Sequence, residues 1–420
     1  AADFEMQLTE RRTRRAAAAN VEGNCQLLVL GAGMAADALL GRLGHYGFQG
    51  SITLVGDETV AGYNRVLLPH YVGGSVETSD LLSTAWTHQA NLKIDRRLGI
   101  RAESLDISAR CVQLSDGGRV RYENIVLALG SQALAPAGIK LPHPRVTALR
   151  NWQDADHLIA LADEDSAILV VGGGLLGLEV ADALLARQCD VTLLQRSHRL
   201  LSRQVDERAA TLVHASLRNK GMNIVLQEEV TALESHGDGV TVAFNSHRAP
   251  RHFAGVVLAT GCLPRTELAR NAGVPTRRGI VVDLGMASPA PNVFAIGECA
   301  EATGVNYQLV EPIHQQADVL ARNLCGASAV LTDVVESSHL KVEGVPLFFA
   351  GSVPSSVGGD DTVVDDSAGG VYRRLCFDGD VLRGAVLFGD TLGARDIQEY
   401  IGSAVSPAKA QQLAFALKAA

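Results

Sequence analysis

Strand-length apolar runs alternate with helix-length segments along most of the chain. A largely apolar run at 26–30 is followed by a glycine turn, a helix predicted over 35–43 and a second apolar run at 51–55. The same order begins again at 167–171, where the helix is predicted to continue to about residue 187. Strands that alternate with helices in this way predict a parallel sheet covered by helices.

The turn after the first strand has small residues at the spacing that a dinucleotide-binding fold requires. Gly31 permits the tight turn, Gly33 allows the backbone to approach a pyrophosphate, and Ala36 allows the helix to pack on the strand. The helix N-terminus offers free N–H groups and about half a positive charge to phosphates. We interpret this unit as an FAD site, with a ribose-binding acid about 20 residues further on. Its candidate contacts are Gly31, Gly33, Met34, Ala35, and Asp57 or Glu58.

The second turn is a complete GxGxxG motif on a strand-to-helix turn. Gln195 and Arg196 stand where a site selective for NAD usually has a carboxylate. Glutamine can still bond the ribose hydroxyls and arginine can receive a 2′-phosphate, so the sequence leaves NADH and NADPH both open. The candidate contacts of this site are Gly172, Gly174, Leu175, Leu176, Gly177, Gln195 and Arg196.

Each glycine motif is followed by an apolar strand that ends on a glycine. The first of these strands ends at Leu129 and Gly130, and the second ends at Gly261. A chance pair of motifs in this order is far rarer than a single motif. The pattern therefore indicates an internal duplication.

A further apolar run, at 292–296, ends in Gly297 and Glu298. There the glycine would let the backbone reach the flavin chain, and the acid would accept a ribityl hydroxyl. The next helix is predicted to start at 311–312, with Pro312 in its first turn. Its N–H groups would face the flavin pyrimidine, where negative charge grows on reduction. The alternative is that the Glu-Pro pair only starts a helix.

From about residue 340 the alternation of strands and helices gives way to consecutive strands. Strands are predicted at 342–353, 370–377 and 382–388, and a helix at 390–401. No glycine motif occurs here, so we predict a small α+β domain for dimerisation or partner docking.

Composition narrows the class of protein. The 420 residues are 47% hydrophobic and 20% charged, which is typical of a globular protein with large cores. A net charge of −9 argues against nucleic acid as the main partner. No run of about 18 apolar residues predicts a membrane span. The first 24 residues contain four arginines without an apolar segment, so they are expected to be a flexible arm or a docking element rather than a secretory signal: Arg11, Arg12, Arg14 and Arg15.

The cysteines do not form a redox or metal motif. The seven lie far apart in sequence and none forms CxC or CxxC, which argues against a disulfide framework, a cluster or a zinc site. A disulfide reductase needs an attacking thiolate with a resolving partner close by. We therefore expect no metal ligands and no thiol mechanism, with reduced thiols in a cytoplasmic protein. Cys299, beside Glu298, is expected to be a small buried residue.

These stretches together resemble the two-dinucleotide-domain flavoprotein disulfide reductase superfamily over about residues 25–400. Within it, the chain is similar to the flavoprotein part of assimilatory nitrite reductase large subunits and of nitrate reductase electron-transfer subunits. The segments 63–66, 297–300 and 341–345 carry this closer resemblance. The resemblance implies that Arg65 contacts the flavin and that Glu179 orients the nicotinamide amide as the catalytic residue. Ferredoxin-reductase relatives have a lysine where this chain has His70.

The expected fold class is α/β, with two Rossmann-like three-layer (ββα) dinucleotide-binding domains and a small C-terminal α+β domain, as in glutathione reductase. The predicted divisions are a basic arm at 1–24, an FAD-binding domain at 25–141 with 264–328, an NAD(P)H-binding domain at 142–263 and a C-terminal interface domain at 329–420.

The implied reaction is hydride transfer from NADH or NADPH to FAD, with the rings about 3–3.5 Å apart, and then electron release to a metal-centre protein. The large nitrite reductases continue into cysteine-rich modules whose cysteines are absent here, so the electrons are expected to leave for another polypeptide. The expected partner is the iron-sulfur or molybdenum subunit of an assimilatory nitrate or nitrite reductase, and an oligomer is possible. The alternatives are a rubredoxin or ferredoxin reductase and a redox-inert FAD-binding protein.

Overall fold

A computed structural model describes residues 22–60, 62–82, 91–136, 139, 143–246, 248–332, 334–366 and 368–415. The four arginines of the predicted basic arm lie outside these residues. The predicted domain boundary at 141–142 also lies outside them.

Helices of the described part vary from one turn to four turns in length. Their bounds are α1 (Met34–His45), α2 (Leu68–Val72), α3 (Thr78–Leu81), α4 (Trp152–Leu161), α5 (Leu175–Ala186), α6 (Glu207–Asn219), α7 (Glu267–Asn271), α8 (Val310–Leu324), α9 (Ala394–Tyr400) and α10 (Pro407–Ala414).

The strands are short and are spread over the whole described chain. Up to the second glycine motif they are β1 (Glu22–Leu30), β2 (Ser51–Gly56), β3 (Lys93–Leu98), β4 (Ala102–Asp106), β5 (Cys111–Leu114), β6 (Arg119–Leu127), β7 (Ser131–Ala133), β8 (Val146–Ala148) and β9 (Ala167–Val171). Beyond it they are β10 (Asp190–Gln195), β11 (Asn223–Leu226), β12 (Val230–Ser235), β13 (Val240–Phe244), β14 (Arg251–Phe253), β15 (Gly255–Leu258), β16 (Cys262–Pro264), β17 (Ile280–Val282), β18 (Val293–Ala295), β19 (Ala300–Ala302), β20 (Ser337–His339), β21 (Leu347–Gly351), β22 (Thr362–Asp366), β23 (Val371–Asp378) and β24 (Val381–Phe388).

The chain divides into two compact units. The first contains the described residues of Ala1–Asn64, Leu82–Gln132 and Leu263–Val334. The second contains those of Arg65–Leu81, Ala133–Cys262 and Val335–Ala420, so the nucleotide fold that follows β9 and the C-terminal sheet belong to one unit.

The first unit is built on a mixed sheet in the order β3-β2-β1-β6-β5-β4, with β18 paired to β6. Strands β3, β2, β1, β6 and β18 run parallel, whereas β4 and β5 form an antiparallel extension. Residues 27–30 of the central strand β1 are fully buried, as expected for a parallel strand covered on both faces. Helices α1 and α8 pack against each other on this core.

The second unit contains a parallel sheet in the order β11-β10-β9-β15-β8 and an antiparallel sheet of β12, β13 and β14. Its C-terminal part is an antiparallel sheet in the order β20-β21-β24-β23-β22, with α9 and α10 packed on it. The predicted α/β fold with a small α+β part is confirmed.

Several predicted elements have different ends in the structure. Strand β1 begins at Glu22 rather than residue 26 because it pairs with β6 from Arg119 onward. The predicted strand at 342–353 shortens to Leu347–Gly351, since Val345 closes a turn by donating its N–H to Val342 O. The last predicted helix begins only at α9, because Gly393 precedes it with a φ of +80°.

A buried charge cluster joins the C-terminal sheet to α6 within the second unit. Arg374, on β23, is 0% exposed, and its guanidinium lies 2.9 Å from Asp206 Oδ2 and 2.7 Å from Asp361 Oδ2. The Asp206 side chain also caps α6 by accepting the N–H of Ala209. Tyr372 donates its hydroxyl to Asp206 as well. This cluster ties the start of α6 to β23.

Among the helices of the described ranges, none combines the length and the apolar character needed to cross a bilayer.

Candidate functional site

The first glycine turn lies between β1 and α1. Gly31 has a φ of +104° and donates its N–H to Val55 O at 2.8 Å, which joins the turn to β2. A Cβ atom on Gly31 would lie 2.1 Å from the carbonyl oxygen of Ala128, so only glycine fits. Helix α1 begins at Met34, and its N-cap residue, Gly33, provides no side-chain hydrogen bond to the first N–H groups.

The second glycine turn repeats this geometry between β9 and α5. Gly172 has a φ of +118° and donates its N–H to Leu194 O at 2.7 Å. A Cβ atom on Gly172 would lie 2.3 Å from the carbonyl oxygen of Ala259, and one on Gly177 would lie 1.8 Å from Gly172 O. A Cβ atom on Gly174 would meet nothing within 4 Å, so open space remains at the start of α5.

The strand after each motif ends beside its own glycine turn. Ala128 donates its N–H to Leu30 O and Ala259 donates to Val171 O, both at 2.8 Å. Beyond these residues Gly130 and Gly261 adopt positive φ values of +65° and +103°. Leu129 is half-buried against the core of the first unit. The matching hydrogen bonds agree with the predicted internal duplication.

Two carboxylates follow β2, as predicted. Asp57 is exposed and its Oδ2 lies 3.2 Å from the guanidinium of Arg265. Glu58 is half-buried and its Oε2 accepts the hydroxyl of Tyr63 at 2.6 Å. Both positions lie at the carboxyl end of a parallel strand, which is where ligands bind in open α/β sheets.

Glu298 is held in a polar cluster at the end of β18. Its Oε2 accepts the hydroxyl of Ser131 at 2.8 Å, and the amide of Asn306 donates to the Glu298 carbonyl oxygen at 2.8 Å. Gly297 has a φ of +80°, and a Cβ atom there would lie 2.9 Å from the Cβ of Ala35 at the start of α1. The Gly-Glu turn therefore lies against the first glycine turn.

Helix α8 begins at Val310 with no side-chain cap on its first N–H groups. Pro312 lies buried in its first turn, as predicted. One turn further on, the buried Gln316 accepts the N–H of Gly297 on its Oε1 at 2.7 Å. Its buried Nε2 has no hydrogen-bond partner among the described residues. Gln316 thus links the start of α8 to the Gly-Glu turn and presents an unsatisfied donor there.

The side chain of Gln195 hydrogen-bonds to the second glycine turn and to the segment that follows β10. Its Oε1 accepts the N–H of Gly173 at 3.0 Å, and its Nε2 donates to Ser197 Oγ at 2.6 Å. Arg196, the next residue, is exposed. Arg199, by contrast, is half-buried and donates to the carbonyl oxygens of the segment 202–205. We infer that Arg196, rather than Gln195 or Arg199, is placed to meet a 2′-phosphate.

Glu179 lies one turn into α5 and is half-buried. Its Oε1 accepts the backbone N–H of Lys341 at 3.2 Å. Burial raises the pKa of Glu179, whereas the ammonium and the N–H of Lys341 lower it. Leu175 and Leu176, which precede it, form the half-buried first turn of the helix.

Arg65 and His70 follow the first nucleotide motif in the chain. Arg65 lies in a 3₁₀ turn and donates to the carbonyl oxygen of Arg150 at 3.1 Å. His70, on α2, is half-buried, and its Nδ1 lies 3.4 Å from Ser75 Oγ. The flavin contact of Arg65 stays a prediction.

Cys299 is fully buried, and its thiol lies 3.2 Å from Leu127 O and 3.3 Å from Ile296 O. Burial raises its pKa to about 11, so it is a protonated thiol at neutral pH. This agrees with a small packing residue. All seven cysteines lie in the described ranges, where each is a free thiol.

Ser131, Asn306, Gln316 and Lys341 were not predicted from the sequence as site residues. Ser131 directly follows Gly130, and a hydroxyl there was a usable signal. Gln316 is a polar residue on the buried face of an amphipathic helix, which is also a signal. The contact of Lys341 with Glu179 spans 162 residues of sequence and has no local signal.

The residues present fit an FAD in the first unit and a nicotinamide dinucleotide in the second. Both glycine turns lead into helices whose first N–H groups have no side-chain cap, and the space at Gly174 is open. The unpaired amide of Gln316 would be satisfied by an oxygen of the flavin chain. FAD would thus be held by Gly31, Gly33, Met34, Ala35, Asp57 or Glu58, Gly297, Glu298 and Pro312.

Comparison with known proteins identifies the family of this chain. A nitrite reductase [NAD(P)H] from Bacillus subtilis (strain 168) is 32% identical over 375 residues, which are 88% of this chain and 46% of that protein. An assimilatory nitrate reductase electron transfer subunit from the same strain is 29% identical over 356 residues, which are 84% of this chain and 45% of that protein. The chain spans about half the length of these curated relatives.

The fold also matches a solved structure, that of a covalent putidaredoxin reductase–putidaredoxin complex. The TM-score is 0.83 at 23% identity, over 95% of this chain and 100% of that one. A family model for the rubredoxin NAD+ reductase C-terminal domain matches residues 337–405, and the model for pyridine nucleotide-disulphide oxidoreductases matches residues 25–317. The chain therefore belongs to the pyridine nucleotide-disulphide oxidoreductase family.

Proposed function

We propose that this chain takes electrons from NAD(P)H through FAD and delivers them to a separate metal-centre protein, the catalytic part of an assimilatory nitrate or nitrite reductase. The observation that carries the proposal is the pair of matching glycine turns, one in each unit. The names of the two Bacillus relatives support the identity of the acceptor. The reaction would take place in the cytosol, where unpaired thiols such as the seven found here stay reduced.

When bound, FAD supplies hydride acceptance and the onward release of electrons. The residues of the chain would bind and orient the flavin and the nicotinamide nucleotide. The N–H groups at the starts of α1 and α5 would hold the two pyrophosphates. Glu298 would accept a ribityl hydroxyl beside Ser131, and the start of α8 would stabilise negative charge on the pyrimidine side. Glu179 would accept an N–H of the nicotinamide amide.

We propose a separate role for each domain predicted from the sequence. The ranges 25–141 and 264–328 would bind FAD, and 142–263 would bind NAD(P)H. The range 329–420 would form an interface with a partner or with a second copy of the chain.

A second candidate is a reductase for a rubredoxin or a small ferredoxin. The match of residues 337–405 to the rubredoxin NAD+ reductase C-terminal domain favours it. Both candidates share the reduction of FAD by NAD(P)H, and they differ only in the acceptor.

Anaerobic stopped-flow absorbance tests the proposal. The holoprotein is mixed with NADPH or NADH, and we expect the flavin absorbance to bleach. The reduced protein is then mixed with a nitrate or nitrite reductase catalytic protein, a rubredoxin or a [2Fe–2S] ferredoxin, and the first is expected to restore the colour fastest. A protein that is not bleached by either nucleotide would be a redox-inert flavin binder. Faster reoxidation by rubredoxin or ferredoxin would favour the second candidate.

We predict that Arg196→Glu raises the KM for NADPH by at least about tenfold and leaves the KM for NADH unchanged or lower, because a charge-assisted hydrogen bond to a phosphate is worth about 1.5–3 kcal/mol. Steady-state kinetics with both nucleotides measure this. Arg395→Glu, a matched charge change at a residue whose side chain is 91% exposed on α9, serves as the control. Equal effects of Arg196→Glu on both nucleotides would show that Arg196 does not contact the 2′-phosphate.

A further inference from the structure

A C-terminal segment, residues 341–344, lies against helix α5 beside the proposed nicotinamide-binding carboxylate. Lys341 donates its backbone N–H to Glu179 Oε1 at 3.2 Å. Two residues later Glu343 donates its N–H to Asp182 Oδ2 at 3.3 Å. Because positions three apart share one face of a helix, both carboxylates of α5 face this segment.

Lys220, which follows the last residue of α6, binds the same segment. Its Nζ lies 2.5 Å from Asp182 Oδ1 and donates to the carbonyl oxygen of Glu343 at 2.6 Å. The side chains of Lys220 and Asp182 are 31% and 17% exposed, so the clasp is partly shielded from water. The segment is thereby held at two points, at Lys341 by Glu179 and at Glu343 by Asp182 and Lys220.

Burial and the charge of Lys341 have opposite effects on the ionisation of Glu179. Burial raises the pKa of Glu179, and the Lys341 ammonium is the cation that lowers it. Lys220, the other lysine near α5, is paired with Asp182 rather than with Glu179. Titratable groups on the elements that pack against α5 are His70 and Tyr71 on α2 and Asp190 on β10. Asp182 lies on α5 itself, Lys220 follows α6, and His339 and Glu343 lie near Lys341 in sequence.

We propose that Lys341, whose backbone N–H binds Glu179 Oε1 from the C-terminal part of the chain, is a positioning residue for hydride transfer: with its positive charge it sets Glu179 to accept an N–H from the nicotinamide amide. This proposal rests on the proposed function. It makes the C-terminal part a contributor to the nucleotide site in addition to any docking role.

The test uses the holoprotein and three variants: Lys341→Gln, Lys341→Arg and Glu179→Gln. Each Lys341 variant keeps the backbone N–H, so the comparison isolates the side-chain charge. Lys409→Gln, the same change in α10 where the ammonium lies 4.9 Å from the ring centroid of Tyr400, is the matched control.

The first readout is the rate of anaerobic flavin reduction by NADPH as a function of pH. Ionised Glu179 is the active form, so the rate should rise with pH through the pKa of Glu179. In Lys341→Gln we expect this rise to move to higher pH, and in Lys341→Arg to return to its wild-type position. Glu179→Gln should be slower and should lack this rise, and Lys409→Gln should match the wild type.

The second readout is the pH dependence of thermal unfolding without nicotinamide nucleotide. Because the pKa of Glu179 is raised above 4.5 on folding, its contribution to stability is present below about pH 4.5 and is lost as pH rises through the folded pKa. Lys341→Gln should move that loss to higher pH, and Glu179→Gln should remove it.

Unchanged pH profiles in both readouts for Lys341→Gln would overturn the proposal. So would a uniform fall in rate at every pH without a shift, since that is the result of a merely structural role. Absence of flavin reduction in the wild type would instead contradict the proposed function, and the unfolding readout would still decide whether Lys341 controls the ionisation of Glu179.

Discussion

Arg374→Met is expected to lower the free energy of unfolding by about 3–5 kcal/mol, because removing one partner of a buried ion pair leaves an uncompensated charge. Two carboxylates would lose their cation, those of Asp206 and Asp361, which are 2% and 3% exposed as side chains. Urea unfolding followed by circular dichroism measures the change. The midpoint should move while the slope stays constant if the native state is otherwise intact.

Arg383→Met is the control, since its ion pair with Asp378 is exposed and should contribute less than about 1 kcal/mol. Equal losses in the two variants would contradict the role given to the buried cluster.

Gly177→Ala is expected to reduce kcat/KM for NADPH by about a hundredfold, because its Cβ atom would lie 1.8 Å from the carbonyl oxygen of Gly172 and force α5 away from the glycine turn. The higher helix propensity of alanine gives back only about 1 kcal/mol, less than the strain of overpacking. Thermal unfolding should therefore show lower stability, and flavin reduction should slow.

Gly174→Ala separates binding from packing. A Cβ atom there meets no protein atom within 4 Å, so stability should stay within about 0.5 kcal/mol of wild type. The methyl group would occupy the space in which we place the pyrophosphate, so nucleotide affinity should still fall. A Gly174→Ala protein with full affinity would remove the pyrophosphate from that position.

The glycine turns were predictable because their constraints are local. Gly31 and Gly172 need positive φ values and close approach to a neighbouring strand, and few residues other than glycine permit either. The ends of elements were less predictable, since pairing decided them. β1 gained four residues from its pairing with β6, and the apolar strand predicted to end at Gly261 ends at Leu258, as β15.

The partners of the site residues were not predictable, because the contacts join distant parts of the chain. Gln195 is read from the sequence as a ribose ligand, yet in the structure its amide oxygen accepts the N–H of Gly173 in the glycine turn and its amide nitrogen donates to Ser197. The partner of Glu298 is 167 residues away in Ser131, and that of Glu179 is 162 residues away in Lys341.

The sequence by itself determined the two nucleotide-binding folds, because strand and helix periodicity and glycine spacing are written locally in the chain. It also determined that the cysteines are too far apart in sequence for a CxxC thiol pair. Only the tertiary structure decided which groups face the carboxylates of these folds, since long-range hydrogen bonds orient Glu179 and Glu298. It also decided that the C-terminal sheet is tied to α6 through Arg374, a residue whose burial no local pattern reveals.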